Sequence, residues 1–516
     1  MLIGKNYIDG KWHKNISHPD KLFASTNPAT GEVVGHFPET DAATVFHAVA
    51  VARSKQKAWR SLSRIARAEY FLKLADVMAK RFDEIVKAIS LETGKNLNES
   101  IAEVNEALHM TQYTFAQGRE QIGKIVASEI AAKDVFIFRK PKGVVGVISP
   151  WNFPFAIGGF WTSAPALLEG NTVVFKPSEE TPYVGQIIAE LYHEAGFPPG
   201  VFNLVQGCGQ VAGRALVEAE IDHVCFTGSA EVSHIIRDIC NQSWHKSCSC
   251  ETGSKSAVIV FDDANMDLAV KACITSAFKL SGQRCVSAGR ILVQRTILDK
   301  FTELFVDAAK KLTVGDPFAA ETPDYGPLIN EAQTKKVLHY NQLTIKNAAA
   351  DEKANCYSGA VKINTKILLE GKQVSDRCLT PHVYMAEWTP KGEWHDEKPS
   401  NVYLREEVFG PHVAIIPFDT PEDAVNIYND TQYGLSMATI TNNMHIARYM
   451  RDNCEFGLGY LNLPSIGAES HIPFGGIRGS GYGGSSAAGS FKAVTHEVSW
   501  TANYDQEGFQ MAQGLK

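Results

Sequence analysis

From Val144 onward, short β-branched runs alternate with segments long enough for helices. Strand-like runs fall at 144–148, 172–175, 201–205, 223–226 and 257–261. The run Thr172-Val173-Val174-Phe175 has no apolar/polar alternation, as expected of a strand covered on both faces, and segments such as 183–195 can serve as crossover helices. The alternation predicts a parallel, dinucleotide-type α/β sheet. It returns at 290–293, 298–311, 412–417, 422–429, 438–440, 445–451 and 459–461, so a second α/β domain is expected from about residue 255. Upstream, the 6-residue start Tyr7-Ile8-Asp9-Gly10-Lys11-Trp12 reads as strand. Segments 41–59 and 64–89 carry apolar residues at helical spacing, with Gly94 as a stop. The stretch 330–400, with Gly359, Gly371, Pro381, Pro390 and Pro399, reads as insertion-rich connecting structure. Gly479-Ser480-Gly481-Tyr482-Gly483-Gly484 reads as flexible punctuation before a strand at 493–500, which needs a partner edge that another subunit could supply.

A chain of 516 residues suggests two or three domains, and 44% hydrophobic against 21% charged residues is an ordinary globular balance. The net charge of −7, with no Lys/Arg block, gives phosphate backbones little to bind, so no nucleic-acid partner is expected. The ten cysteines all lie beyond residue 207 without a paired framework, and the N-terminus has no apolar signal region, which together predict a reduced, cytoplasmic setting. Residues 143–168 carry no charge, yet Pro150, Pro154 and Pro165 break any continuous helix; a buried strand, loop and helix is expected, not a membrane span. No internal repeat is evident.

The motifs of P-loop nucleotide binding, zinc proteolysis and serine hydrolysis are missing. Gly207-Cys208-Gly209-Gln210-Val211-Ala212-Gly213 is a weak dinucleotide fingerprint with one residue too many. Cys248-Ser249-Cys250 has no second ligand pair, so no metal is expected. Seven segments occur in order: Val147-Ile148-Ser149-Pro150-Trp151-Asn152-Phe153-Pro154, Phe175-Lys176-Pro177-Ser178-Glu179, Phe226-Thr227-Gly228-Ser229, Glu251-Thr252-Gly253, Gly282-Gln283-Arg284-Cys285, Glu406-Glu407-Val408-Phe409-Gly410-Pro411 and Pro473-Phe474-Gly475-Gly476. This series resembles the aldehyde dehydrogenase superfamily across almost the whole chain. The separations of 34 residues from Glu251 to Cys285 and 133 from Asn152 to Cys285 match those of the family.

The resemblance implies a nucleophile at Cys285, an oxyanion donor at Asn152 together with the Cys285 backbone N–H, and a general base at Glu251. The chemistry agrees. An aldehyde does not readily give up hydride until a nucleophile has made its carbon tetrahedral, and the resulting thioester needs an activated water for release as acid. Arg284, beside the nucleophile, is a candidate for thiolate stabilisation or a purely structural arginine. Glu251 favours the hydrolytic branch over transfer to coenzyme A. For the cofactor, the resemblance implies Lys176 and Glu179 at the adenine ribose, Gly228 and Ser229 at the pyrophosphate, Glu407 at the nicotinamide ribose with Phe409 against its ring, and Trp151 and Ser178 as further cofactor-binding residues. A carboxylate at Glu179 about 4 Å from a ribose 2′-phosphate would be repelled by about 4 kcal/mol at an effective dielectric of 20, which favours NAD over NADP.

Two small replacements depart from the family pattern, Ser233 and Ser254 where glycine is usual, and the 122-residue span from Cys285 to Glu407 is long. By resemblance, the domains expected are a discontinuous Rossmann-like NAD-binding unit (1–118 and 142–254), an α/β catalytic unit (255–478) and a small β oligomerisation extension (119–141 and 485–516) that makes a homodimer or homotetramer. The expected function is NAD-dependent oxidation of an aldehyde to a carboxylic acid. The alternatives are a semialdehyde dehydrogenase of amino-acid catabolism and a non-catalytic NAD-binding scaffold. A substrate bearing a second carboxylate would need a cationic or hydroxyl anchor, which the sequence does not locate.

Overall fold

Two open α/β sheets meet edge to edge in the computed structural model, which describes residues 2–15, 18, 20–353, 365–388 and 401–511. In the first sheet the five central strands run parallel in the order Ser247–Glu251, His223–Thr227, Val144–Ile148, Thr172–Lys176, Phe202–Leu204. Chain order reverses between Val144–Ile148 and His223–Thr227, and a crevice opens beyond the carboxyl ends of strands at such a reversal. Short antiparallel strands close both edges: Asn6–Ile8 beside Phe202–Leu204, and Gly481–Tyr482 beside Ser247–Glu251. The second sheet has seven strands, all neighbours parallel except Lys366–Leu369 against His382–Met385. Ala257–Val260 enters it with only five residues intervening after Glu251 ends the outermost parallel strand of the first sheet. That short connection sets the carboxyl edge of one sheet against the amino edge of the other.

Central strands are largely buried because helices cover both faces, as the fully buried Val173, Val174 and Phe175 show. Helix starts are fixed by side chains: Asp41, Ser63 and Asn96 each accept a backbone N–H three residues on. Gly94, at φ +73°, ends the helix Phe82–Thr93 as expected.

Four expectations need correction. The periodic segment 64–89 is two helices, Arg64–Lys80 and Phe82–Thr93, broken at Arg81, whose guanidinium bonds Glu84, Glu190 and Glu194; a one-residue break leaves apolar spacing nearly unchanged. The stretch 330–400 contains a 23-residue helix, Glu331–Lys353, and two strands; the rest of the supposed insertion, 354–364 and 389–400, lies outside the described residues. The glycine-rich 479–484 is not loose punctuation, since Gly481–Tyr482 pairs with Cys250 and Glu251. The C-terminal strand Thr495–Asn503 finds its partner edge in its own chain, antiparallel to Lys133–Pro141, with Gly123–Ala127 as the third strand. Among the described residues, no helix is long and apolar enough to cross a membrane.

Candidate active site

A cavity of about 200 Å³ sits where the two sheet edges meet, lined by Trp151, Asn152, Gly228, Ser229, Cys285, Glu407 and Phe409, among others. Seven of the eleven residues singled out from the sequence thus share one space. Each arrives by a different element. Trp151 and Asn152 follow Val144–Ile148, Gly228 and Ser229 follow His223–Thr227, Cys285 precedes Arg290–Gln294, and Glu407 and Phe409 precede His412–Phe418.

The loop carrying Asn152 is clamped from the helix Leu97–Gln117. Glu103, fully buried and paired with Lys95, accepts the N–H groups of Phe155 (2.8 Å) and Ala156 (3.1 Å). Asn152 is buried, and its Nδ2 donates one hydrogen to the carbonyl of Gln283 at 2.9 Å. Its second N–H carries no bond to a described residue, and Asn152 lines the same cavity as Cys285.

The turn into Cys285 is strained. Leu280, Ser281 and Gly282 all lie at positive φ (54°, 55° and 70°), a region that costs a non-glycine residue about 1–2 kcal/mol. Side chains hold it there: Leu280 N–H donates to Glu99 (2.7 Å), Ser281 Oγ to the Gly326 carbonyl (2.5 Å), and Ile329 N–H to Gln283 Oε1 (3.1 Å). A Cβ on Gly282 would collide with the carbonyl oxygen of Gly410. The N–H groups of Cys285 and Val286 point at the sulfur and favour its charge, but burial, Glu407 and Glu251 outweigh them and push the thiol up to about 12. The Arg284 guanidinium lies 3.7 Å from Glu99, which supports the structural of its two readings.

Glu251 ends the strand Ser247–Glu251 and does not line the cavity, although it is close enough to raise the Cys285 thiol. It is buried, accepts the Gly476 N–H at 3.0 Å, and burial holds its carboxyl well above the usual range despite that bond. Glu407 accepts the Ser254 N–H at 2.7 Å, and burial raises it to about 7. Ser254, one of the two departures from the family pattern, also donates its hydroxyl to the Cys285 carbonyl, tying the loop after Glu251 to the loop of Cys285. A Cβ on Gly253 would displace the Glu407 carboxylate.

Lys176, Ser178 and Glu179 stand apart from this cavity at the end of Thr172–Lys176. The buried Lys176 donates to the Pro177 carbonyl (2.8 Å) and to Glu179 (3.2 Å), while Ser178 accepts the Glu180 N–H. Burial works against the charge of Glu179, yet Lys176 and the N–H groups of Glu179 and Gly209 outweigh it and keep the carboxyl below its usual range. The glycine-rich 207–213 segment thus packs beside this pair. Ser229 caps the 12-residue helix Ala230–Asn241 by accepting the Val232 N–H, which sets the helix N-terminus at the cavity that Gly228 and Ser229 line. Trp151 and Phe409 meet edge to face at 5.6 Å, with Phe409 at φ +61°.

Sequence reasoning missed Gln333 and Lys336, which line the same cavity from the helix Glu331–Lys353. Gln333 donates to the carbonyls of Val408 (3.0 Å) and Phe409 (2.7 Å), fixing the loop of Glu407. A signal was present: Asn330 accepts the Gln333 N–H, and Asn-x-x-Gln is the spacing of a helix start.

This chain belongs to the aldehyde dehydrogenase family, whose sequence profile matches residues 12–499. It is therefore an oxidoreductase acting on aldehydes. Among its relatives is the alpha-ketoglutaric semialdehyde dehydrogenase of Bacillus subtilis (strain 168), 35% identical over 92% of this chain and 93% of that protein. Two solved structures are similar: PnpE in complex with nicotinamide adenine dinucleotide (31% identity, TM-score 0.87, 98% of each chain) and a point mutant of betaine aldehyde dehydrogenase from Staphylococcus aureus in complex with NAD+ (27% identity, TM-score 0.88, 100% of each chain).

Proposed function

We propose that this protein oxidises an aldehyde to a carboxylic acid with NAD, through a thioester on Cys285 that Glu251 helps to hydrolyse. The observation that carries this reading is the convergence of Asn152, Cys285 and Glu407 on one cavity, with Glu251 held against its wall. The cavity lining suits part of a dinucleotide: a capped helix N-terminus at Gly228 and Ser229 for phosphate, the Lys336 side chain for its charge, and the Trp151 and Phe409 rings for an aromatic base. Lys176, Ser178 and Glu179 would receive the adenine ribose, and Glu407 the nicotinamide ribose. When bound, NAD supplies a cationic ring that accepts hydride.

The residues divide the remaining work. The Cys285 sulfur attacks the carbonyl carbon, and the new oxyanion is received by the free N–H of Asn152 and the backbone N–H of Cys285. Once the adduct has been oxidised to the thioester, Glu251 takes a proton from water, which adds to the acyl carbon and displaces the thiolate. The high proton affinities of Cys285 and Glu251 in the cofactor-free protein mark groups poised to exchange a proton, not permanent charges.

The same reading divides the chain into a discontinuous cofactor domain (1–118 and 142–254), a catalytic domain (255–478) and an extension (119–141 and 485–516). Support for the extension as a subunit contact comes from its unpaired sheet edges and the exposed Ile125, Trp500 and Tyr504. A solution mass near 56.5 kDa would contradict the homodimer or homotetramer. A cytoplasmic setting is supported by the nine described cysteines, all free thiols.

The test is a panel of aliphatic, aromatic and carboxylated aldehydes with NAD and with NADP, compared by kcat/KM. Acid and NADH should form in equal amounts with at least one aldehyde. A protein that binds NAD yet turns over none of them is the scaffold.

A further inference from the structure

The connection between the two sheets, Thr252-Gly253-Ser254-Lys255-Ser256, carries two serines at alternate positions, and both are buried. Buried hydroxyls need partners, and here the partners fix the direction of every bond. Ser256 Oγ accepts the Ser436 N–H at 3.3 Å, Ser254 Oγ lies 2.8 Å from Ser256 Oγ, and the Ser254 hydroxyl donates to the Cys285 carbonyl. A carbonyl oxygen can only accept, so Ser254 spends its single hydrogen on Cys285. The hydrogen between the two serines therefore comes from Ser256. The bonds form a row pointing one way, from the first residue of the strand Ser436–Ile440, through two hydroxyls, to the peptide that joins Cys285 to Val286.

The other end of that peptide, the Val286 N–H, points at the Cys285 sulfur. A hydrogen bond on a carbonyl polarises the whole amide, and bonds in a row strengthen one another. Val286 is steadied from its far side as well, since its carbonyl accepts the Ser465 hydroxyl at 2.8 Å. Ser254 does not line the cofactor cavity, so it acts on the site only through other residues. Its main chain makes a separate contact, the N–H donating to Glu407 at 2.7 Å. Side chain and main chain of one residue thus hold two different loops, and removing the hydroxyl breaks only the contact to Cys285.

We propose that Ser254 is a positioning residue for the Cys285 sulfur: its hydroxyl holds and polarises the Cys285–Val286 peptide, so that the Val286 N–H stabilises the thiolate. This rests on the reading of Cys285 as the reacting thiol and adds the residue that tunes it. The titratable groups facing the sulfur are Glu407, Glu251 and Tyr460. Burial and the two carboxylates work against its charge, and the N–H groups of Cys285 and Val286 oppose them. A device that strengthens either N–H therefore acts where the thiolate has few other supporters.

The test follows alkylation of Cys285 by iodoacetamide in the cofactor-free, full-length protein, read as carbamidomethyl mass on the peptide carrying Cys285. Burial and the carboxylates push the thiol up to about 12, so at pH 8 the rate tracks a small thiolate fraction. Ser254→Ala should slow alkylation about threefold at that pH. It should also move the rise of kcat/KM for a neutral aldehyde to higher pH, with KM for NAD unchanged because the N–H to Glu407 remains. Ser254→Thr, which keeps the hydroxyl, should recover most of the rate. Ser256→Ala, one bond further from the sulfur, should slow alkylation less, and its rate decides the outcome if Ser254→Ala does not fold. An unchanged alkylation rate in the deciding variant, or a raised KM for NAD in its place, would overturn the proposal and leave aldehyde oxidation standing. Slowed alkylation in a protein that oxidises no aldehyde would overturn the proposed function and leave the tuning of the thiol standing.

Discussion

Glu251 and Cys285 are brought to the same place in opposite ways. Glu251 is the last residue of a parallel strand, paired through Thr227 to the neighbouring strand and through Gly481 to the edge strand. Cys285 stands on a loop where three successive residues have positive φ, kept there by the Glu99 side chain from the helix Leu97–Gln117 and by backbone groups of Gly326 and Ile329 that bond the loop's own Ser281 and Gln283 side chains. A strand end is fixed by backbone bonds that almost any sequence can make, whereas the Cys285 loop depends on particular partners. Glu251 is thus expected to tolerate changes in its neighbours, and Cys285 is not.

Mutations can break this contrast, beginning with the chemistry itself. Cys285→Ala should lower acid formation by about ten-thousand-fold or more in stopped-flow or end-point assays, and Glu251→Gln should slow steady turnover by about a hundred- to ten-thousand-fold. The two losses should differ in form. Glu251→Gln should still release a single-turnover burst of NADH, and Cys285→Ala should show none. Asn152→Ala should reduce kcat by about a hundred- to a thousand-fold through loss of an oxyanion donor, with KM for NAD nearly unchanged by initial-rate kinetics.

Smaller effects sharpen the comparison. Glu179→Ala should raise the NADP-to-NAD ratio of kcat/KM by about tenfold, less than the full Coulomb figure because the Glu179 side chain is 42% exposed and screened. Glu99→Gln should weaken the clamp on the nucleophile loop and cost about 1–2 kcal/mol in denaturant unfolding, with a fall in kcat that substitutions around Gly476 do not match. The pH profile has a definite sign. Both Cys285 and Glu251 must lose a proton to act and both are held above their ordinary values by burial, so kcat/KM for a neutral aldehyde should climb with pH from neutrality into the alkaline range.

Much of this architecture was legible because it depends on pattern. Runs such as Thr172-Val173-Val174-Phe175 can be only doubly covered strands, and the order of seven short motifs located the cavity before any distance was known. What was not legible depends on single residues acting at a distance. The break at Arg81 is stabilised by carboxylates more than a hundred residues away, Glu190 and Glu194, which no window of local spacing contains. Gln333 and Lys336 were lost because glycines and prolines farther along suggested irregular structure and the Asn330 cap was not weighed against them. The direction of the Arg284 side chain has no sequence signature, since a residue beside the nucleophile can face either way.

The central claim is a covalent bond between the Cys285 sulfur and the substrate. The direct measurement mixes Glu251→Gln with aldehyde and NAD, quenches after one turnover, and maps mass gain along the digested chain. The acyl mass should appear on the peptide carrying Cys285, in an amount equal to the NADH released. NADH formed with no acyl mass on that peptide, or with the mass on another cysteine, would contradict the account.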